Sequence, residues 1–324
     1  MQTTQSQRTV RIIINTTKNE ELFINMKRSH LIIVVLFFIS AILFGFTQVR
    51  DYMKNAGSPP EISMDKATLE VSVNVTNEEL LAGLEAWDEE DGDLTDQLLV
   101  ESFSRFVGKG RRNVTIGVAD SQGKVTEVTR NLVYTDYESP KFALTAPLYL
   151  PITKCDDPLA LLTASDKVDG DISNNIEISS IPAEYGDNPG EYEVVFAVSN
   201  SAGDKVDLPV TVTIYDAKDT QGAPAITLST YLVNVKKGDK IEPWDYVTGA
   251  EYERIKYERE EGGSTLYAVN GKTDEDDNVL SLSKGDFNIA NTVDWNEEGV
   301  YEIQYRLEDE NGHIGIQRLI VVVY

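Results

Sequence analysis

The chain has 324 residues, one cysteine, two histidines and a formal net charge of −25. That balance excludes nucleic acid as a partner and close adhesion to an anionic lipid face, because both need a cationic surface. The single cysteine excludes a disulfide within the chain, and the length suits two or three domains.

Residues 1–30 are polar and weakly basic, with Arg8, Arg11, Lys18, Lys27 and Arg28 against Glu20 and Glu21. They read as a cytoplasmic tail. Residues 31–49 carry no charge and are nearly all Leu, Ile, Val and Phe. As a helix they would measure about 28 Å, close to a bilayer core, so they read as one transmembrane helix. Lys27 and Arg28 place the near end in the cytoplasm and the rest outside. The Phe-Gly-Phe-Thr-Gln end has no Ala-x-Ala pattern, which favours an uncleaved anchor over a removed signal. No further span or C-terminal lipid signal is expected. Residues 50–57 are a linker, and Ser58-Pro59-Pro60 stiffens its exit.

The rest reads as repeats. In the middle of the chain, Tyr192, Val194, Phe196 and Val198 alternate with Glu193, Val195, Ala197 and Ser199, the period of a strand with one buried face. Asn200-Ser201-Ala202-Gly203 supplies a turn, and Val206, Leu208, Val210, Val212 and Ile214 alternate again. Pro209 within the second strand predicts an edge or a bulge. Gly190, Tyr192, Gly203 and Tyr215 recur 109 residues on as Gly299, Tyr301, Gly312 and Tyr324. An earlier copy lies 80 residues back, where Gly110, Val114, Ile116, Val118 and Gly123 match and Arg112 replaces the tyrosine. Ala86 to Leu94 answers Ala164 to Ile172 at an offset of 78. Fixed offsets with matching glycines and apolar faces mark a tandem array.

The boundaries fall at 58–136, 137–218 and 219–324, with Pro140 and Pro224 punctuating the joints. Within the first unit, Asn77 to Leu84 predicts one helical turn with Asn77 as N-cap. In the last, residues 251–278 replace the Asp-Gly-Asp turn and predict an added hairpin or loop turning at Glu261-Gly262-Gly263-Ser264. The fold class is therefore all-β: three tandem β-sandwiches preceded by one transmembrane helix. Tyr192 and Tyr301 are candidates for the tyrosine corner of such folds, the alternative being plain core aromatics.

The combination Asp-x-x-Asp-Gly-Asp-[Leu/Ile]-[Thr/Ser], then Pro-Gly-x-Tyr, then Asp/Asn-x-x-Gly resembles the bacterial immunoglobulin-like repeats of Gram-positive surface proteins. Such repeats are also appended to pesticidal crystal proteins and are similar to hyalin-type repeats. The resemblance covers about Ser58 to the end. It implies that the three tandem sandwiches are immunoglobulin-like, an extracellular setting, and modules that serve as spacers or binding surfaces, with no enzyme activity.

Two groups of side chains are candidate sites. Asp88, Asp91 and Asp93, and again Asp166, Asp169 and Asp171, cluster around a glycine, as oxygen ligands of calcium do. Their spacing is not that of an EF-hand. The other reading is structural turns in which the carboxylates cap backbone N–H groups. No other cofactor is indicated. Trp244, Tyr252, Tyr257 and Tyr267 are candidates for binding a surface protein or glycan, since insertions on rigid sandwiches often carry function. Exposure of Trp244 and Tyr257 would support that role. Cys155 reads as a small buried residue rather than a reactive thiol. His313 has no serine or cysteine pattern near it, so catalysis has little support. The expectation is a single-pass cell-membrane protein with its C-terminal domains extracellular, acting as a stalk and binding surface in adhesion or recognition. The alternatives are a purely structural spacer of an envelope complex and, third, an envelope hydrolase.

Overall fold

The computed structural model describes residues 31–50, 57–218, 222–269 and 271–324. The expected tail at 1–30, most of the linker at 50–57 and residues 219–221 of the second joint lie outside the described residues. Helix α1, Leu31–Arg50, has 20 residues and is the one helix among those described that is long and apolar enough to cross a membrane. Its side chains are exposed along its whole length.

The described residues beyond it are mostly strands. The first group is β1 (Glu61–Met64), β2 (Thr68–Val71), a short helix α2 (Asn77–Leu81), β3 (Leu84–Asp88), β4 (Gly92–Asp93), β5 (Leu99–Phe103), β6 (Arg111–Ala119) and β7 (Val125–Tyr134). The second is β8 (Lys141–Leu144), β9 (Tyr149–Pro151), β10 (Leu162–Asp166), β11 (Gly170–Asp171), β12 (Glu177–Ser180), β13 (Gly190–Ser199) and β14 (Lys205–Tyr215). The third is β15 (Ala225–Leu228), β16 (Leu232–Val235), β17 (Val247–Tyr252), β18 (Ile255–Arg259), β19 (Leu266–Ala268), β20 (Ser281–Leu282), β21 (Phe287–Asn291), β22 (Gly299–Glu308) and β23 (Ile314–Val323).

One topology is used three times. The sheets run β1-β3-β4 and β2-β7-β6-β5, then β8-β10-β11 and β9-β14-β13-β12, then β15-β17-β18-β19-β20 and β16-β23-β22-β21. In each group the second strand pairs parallel with the last: β2 with β7, β9 with β14, β16 with β23. The first strand pairs antiparallel with β3, β10 or β17. The chain is thus all-β beyond α1, with two sheets to each sandwich.

The described residues group into two compact units. One holds residues up to Lys66 with Leu81–Glu101 and Thr115–Val128; the other holds Ala67–Leu80, Ser102–Val114 and Thr129–Tyr324. The division runs through β5, β6 and β7.

The period-two faces fall as the sequence predicts. Tyr192, Val194, Phe196 and Val198 enter one core with Leu208, Val210, Val212 and Ile214. Ile303, Tyr305 and Leu307 enter a second with Leu319, Val321 and Val323. Pro209 sits where β14 has a partner on one side only, because β9 covers Thr213 to Tyr215 and stops. The missing N–H of proline therefore costs no ladder bond.

Strand β23 is apolar on both faces. While Leu319, Val321 and Val323 point into their own sandwich, Ile320 belongs to the middle core, joined by Leu232 and with Val300 and Val322 packed against it. The outer face of the C-terminal sheet is thus continuous with the middle core, and Asn234 Nδ2 donates to the Phe142 carbonyl at 3.1 Å across the joint.

One local expectation changes. Asn77 is not the N-cap: Thr76 is, with Glu79 N donating to Thr76 Oγ1 at 3.3 Å and Thr76 N to Glu79 Oε2 at 2.9 Å. That is a reciprocal capping box, which Thr-x-x-Glu encodes better than Asn does one position later. Residues 251–278 supply β18 and β19, two strands of the five-stranded sheet. The Glu260–Ser264 turn is where it was expected, closed by Gly263 N to Glu260 O at 2.9 Å. Arg112, in the tyrosine position, donates from its Nε to Tyr134 Oη at 2.7 Å, and its guanidinium lies 4.2 Å from the Phe103 ring centroid.

Candidate functional site

The aspartate turns sit at the β3–β4 and β10–β11 hairpins. Asp88 Oδ1 accepts from Glu90 N and Asp91 N, both at 2.9 Å, and Asp166 Oδ1 from Val168 N and Asp169 N at 3.1 and 2.8 Å. Asp91 Oδ2 accepts from Ser121 N at 2.7 Å, and Asp169 takes both the backbone N–H and the hydroxyl of Ser201 at 2.6 Å. Asp93 and Asp171 accept from Thr95 N and Ser173 N at 2.9 Å. These bonds hold three carboxyls below the usual carboxylate range: Asp91 chiefly through the Ser121 N–H, Asp93 through the Thr95 hydroxyl and Asp171 through the Ser173 hydroxyl. Among the described residues no three acidic, histidine or cysteine side chains converge as metal ligands. The bonded oxygens of both triads meet donors of their own turns and of the facing β6–β7 or β13–β14 turn, while Asp88 Oδ2 is buried without a partner.

The aromatic candidates separate. Trp244 is 5% exposed and Tyr257 4% exposed, both inside the C-terminal core. They are core residues, and their assignment as binding residues is corrected. Tyr257 alternates with Lys256 and Glu258 because β18 buries every second side chain, while the Trp244 indole donates to the Ser264 carbonyl at 2.9 Å and packs edge-on to Phe287. Tyr252 is half-buried against the same core. Tyr267 is exposed, opposite Glu258 on the outer face of the sheet.

Other residues line a recess that has no local sign in the sequence. It lies where the middle and C-terminal sandwiches meet and measures about 180 Å³. Arg318, on β23, is its polar centre: its guanidinium donates to Thr213 Oγ1 and Glu191 Oε1, and its Nε lies 3.3 Å from Glu302 Oε2. Glu302 Oε1 also accepts the Thr211 N–H at 3.2 Å, satisfying a donor on the open edge of β14. Leu144, Tyr149, Ile314 and Ile316 supply the apolar wall. Ile314 and Ile316 stand 37% and 40% exposed, unusual for isoleucine on a strand. Tyr149 stacks on Tyr215 at 4.3 Å between centroids, and burial, then Tyr215, pushes its hydroxyl above the usual tyrosine range. A second recess on the outer face of β15, β17 and β18 has Gly249 as its floor, where a Cβ would come within 3.0 Å of the Tyr257 carbonyl.

Two further expectations find their place. Tyr192 and Tyr301 are both tyrosine corners, with hydroxyls donating to the carbonyls of Asn188 at 2.7 Å and Glu297 at 3.2 Å. Cys155 is 2% exposed and is a packing residue, while the His313 ring meets Asp309 Oδ2 at 2.8 Å.

No family model matches the chain. A pesticidal crystal protein, Cry22Aa of Bacillus thuringiensis, is 28% identical over 249 residues, which is 74% of this chain. The chain spans 29% of the length of that relative. Among solved structures, the extracellular cadherin domains 1–5 of protocadherin gamma B2 align over 82% of this chain and 60% of theirs at 13% identity, with a TM-score of 0.18. The M60 catalytic domain with CBM51 domains of Clostridium perfringens ZmpB aligns over 83% of this chain and 31% of its own at 11% identity, with a TM-score of 0.19. Scores of this size carry no argument about function. The crystal protein is what this chain resembles in sequence over most of its length.

Proposed function

We propose that this chain is a membrane-anchored, extracellular recognition protein, in which α1 is the anchor, the sandwiches are the stalk and the Arg318 recess receives one protruding group of a larger partner. The observation that carries the reading is the recess itself, a polar centre beside two half-exposed isoleucines. At about 180 Å³ it is smaller than the roughly 300–1,000 Å³ of sites that engulf whole small molecules. It suits a single sugar ring or one side chain presented by a glycan or a protein. The surrounding acidity disfavours anionic polymers. No catalytic step is part of the proposal, because Glu191 and Glu302 are both engaged by Arg318.

The test uses the full chain displayed on cells. Ile316→Ser changes an exposed side chain without emptying a core, so adhesion to surfaces coated with wall polysaccharide or surface protein should fall while display is unchanged. Adhesion equal to wild type would remove the recess from the proposal. Orientation is read separately. In a Cys155→Ser background, Lys240→Cys, at an exposed position, should react with a membrane-impermeant maleimide on intact cells, and protection there would reverse the topology. A spacer role also has its own support: the Arg318 clamp fixes the joint between two sandwiches, as a stalk requires.

A further inference from the structure

The outer face of the three-stranded sheet β1-β3-β4 carries a tryptophan in contact with water. The chain has three tryptophans. Trp244 and Trp295 are buried, whereas Trp87 is 62% exposed. Strand β3 buries Leu84, Ala86 and Asp88 and turns Glu85 and Trp87 outward, so the exposure follows from the period of the strand. The register puts Glu61 on β1 and Asp93 on β4 directly beside Trp87 in one row, with Ser63 beside Glu85 in the next. Residues so paired have Cβ atoms about 5 Å apart, so both acidic side chains flank the indole. The far edge of the ring leans over Gly92, where a Cβ would stand 3.9 Å from Cη2. Asp93 is held ionised by its bonds to Thr95.

The other two sandwiches fill the same row differently. In the middle one it reads Lys141, Ser165, Asp171, and in the C-terminal one Ala225, Glu251, Lys256. Each of those rows holds one acid and one lysine, and neither holds an aromatic ring. The first row holds two acids, a ring and no cation. Its tryptophan forgoes the burial that so large an apolar side chain would gain, and the sister rows show that the fold does not ask for it. The middle sandwich also shows the row in use. The Lys141 ammonium lies 4.2 Å from the Tyr324 ring centroid, where the C-terminal sandwich packs against it. There the row offers the cation and the arriving module offers the ring.

We propose that at Trp87 the roles are exchanged: this row is a docking site for a cationic polypeptide segment, one arginine or lysine of which stacks on the indole between Glu61 and Asp93. Indole is the aromatic face that cations favour most, and a planar guanidinium stacks on it. Neighbouring strands lie about 4.8 Å apart, so the two acids stand on strands roughly 10 Å from each other. A small amine meets one of them at a time, whereas a segment with two basic side chains meets both. Glu85 on the same face adds a third acid and disfavours an anionic occupant. None of these residues lines the Arg318 recess, so the site stands independently of it.

Fluorescence of the detergent-solubilised full chain tests this, because Trp87 alone of the three tryptophans is open to a soluble quencher. A short arginine-rich peptide should shield Trp87 from acrylamide, saturably, and less well as salt is raised. A labelled copy of that peptide, read by anisotropy, gives affinities for variants. Trp87→Ser, the middle sandwich's residue, should weaken binding about fivefold, the size of one exposed cation–π contact. Glu61→Lys, the middle sandwich's lysine, keeps the indole and should weaken binding about tenfold, because it removes an attraction and adds a repulsion. Both side chains are exposed, so neither change empties a core. Equal affinity for wild type and both variants would overturn the inference and assign the peptide to the general acidity of the chain. Equal shielding by tetramethylammonium at matched charge would overturn it in favour of a small amine. Shielding by a neutral oligosaccharide would overturn it in favour of a glycan, and shielding that grows with protein concentration alone in favour of a second copy of this chain. No shielding by the peptide would overturn it outright.

Discussion

Single hydroxyls and carboxyls set where this protein is stable. The Tyr192 hydroxyl is held at 2.7 Å by a carbonyl beside a nearly buried ring, so Tyr192→Phe should cost about 1 kcal/mol in equilibrium unfolding. Tyr301→Phe, at 3.2 Å and more exposed, should cost less than Tyr192→Phe in the same assay. Other tyrosines set an alkaline limit. Burial, then Cys155 and Asp156, pushes Tyr185 up to about 12, and burial with Asp204 pushes Tyr137 higher still. A group that holds its proton longer when folded contributes stability up to its unfolded value, near 10, and loses it above that. Unfolding should therefore set in between about pH 10 and 12, with tyrosine ionisation seen by absorbance arriving together with loss of the β signal in circular dichroism. The capped aspartates act in the opposite direction. Asp91, Asp93, Asp136 and Asp171 are all lowered by hydrogen bonds, so their contribution is present above the usual carboxylate value and fades as pH falls through the lowered ones.

At the scale of elements, the β17–β18 hairpin is the least comfortable turn. Tyr252 pairs with Ile255, leaving Glu253 and Arg254 as a two-residue loop with φ of 49° and 64°. Left-handed backbone at both places suits Asn-Gly. Glu253→Asn with Arg254→Gly should raise stability by about 1 kcal/mol, read as a higher denaturation midpoint at unchanged slope. Gly315 is the reverse case: a Cβ there would fall 1.9 Å from the Pro224 carbonyl oxygen, so Gly315→Ala should shift β15 against β23 and lower the midpoint. The same elements show how much the sequence declared. Strands with one wet and one dry face, such as β13 and β22, announce themselves by alternation, and the fixed offsets locate their copies. Tyr257 followed the same rule between Lys256 and Glu258, but charge interspersed with tyrosine looks equally like an exposed binding loop. Asn77 is a good cap considered alone, and only the reach of Glu79 back to Thr76 distinguishes the two.

At the scale of the whole molecule, the relation between sandwiches was the hardest part to read. Arg318 joins Thr213 and Glu191, 105 and 127 residues away, to Glu302 on the other strand of its own hairpin, and nothing near Arg318 in sequence foretells the two distant partners. The recess was illegible for the same reason. Arg318 is 15% exposed at its side chain and carries charge-assisted bonds, so Arg318→Ala should cost about 1.5–3 kcal/mol. A double-mutant cycle with Glu302→Gln should show coupling, whereas additive effects would mean the clamp is idle.

The doubly apolar strand β23 has a practical consequence for anyone who dissects this chain. Cut away from its neighbour, the C-terminal sandwich would present Ile320, Val322, Val300 and Leu232 to water as one oily panel on a sheet. It would be expected to stick to itself, and any ligand it then captured would be suspect. Residues 137–324 are the smallest piece in which that panel stays covered, and studies of adhesion should begin from there.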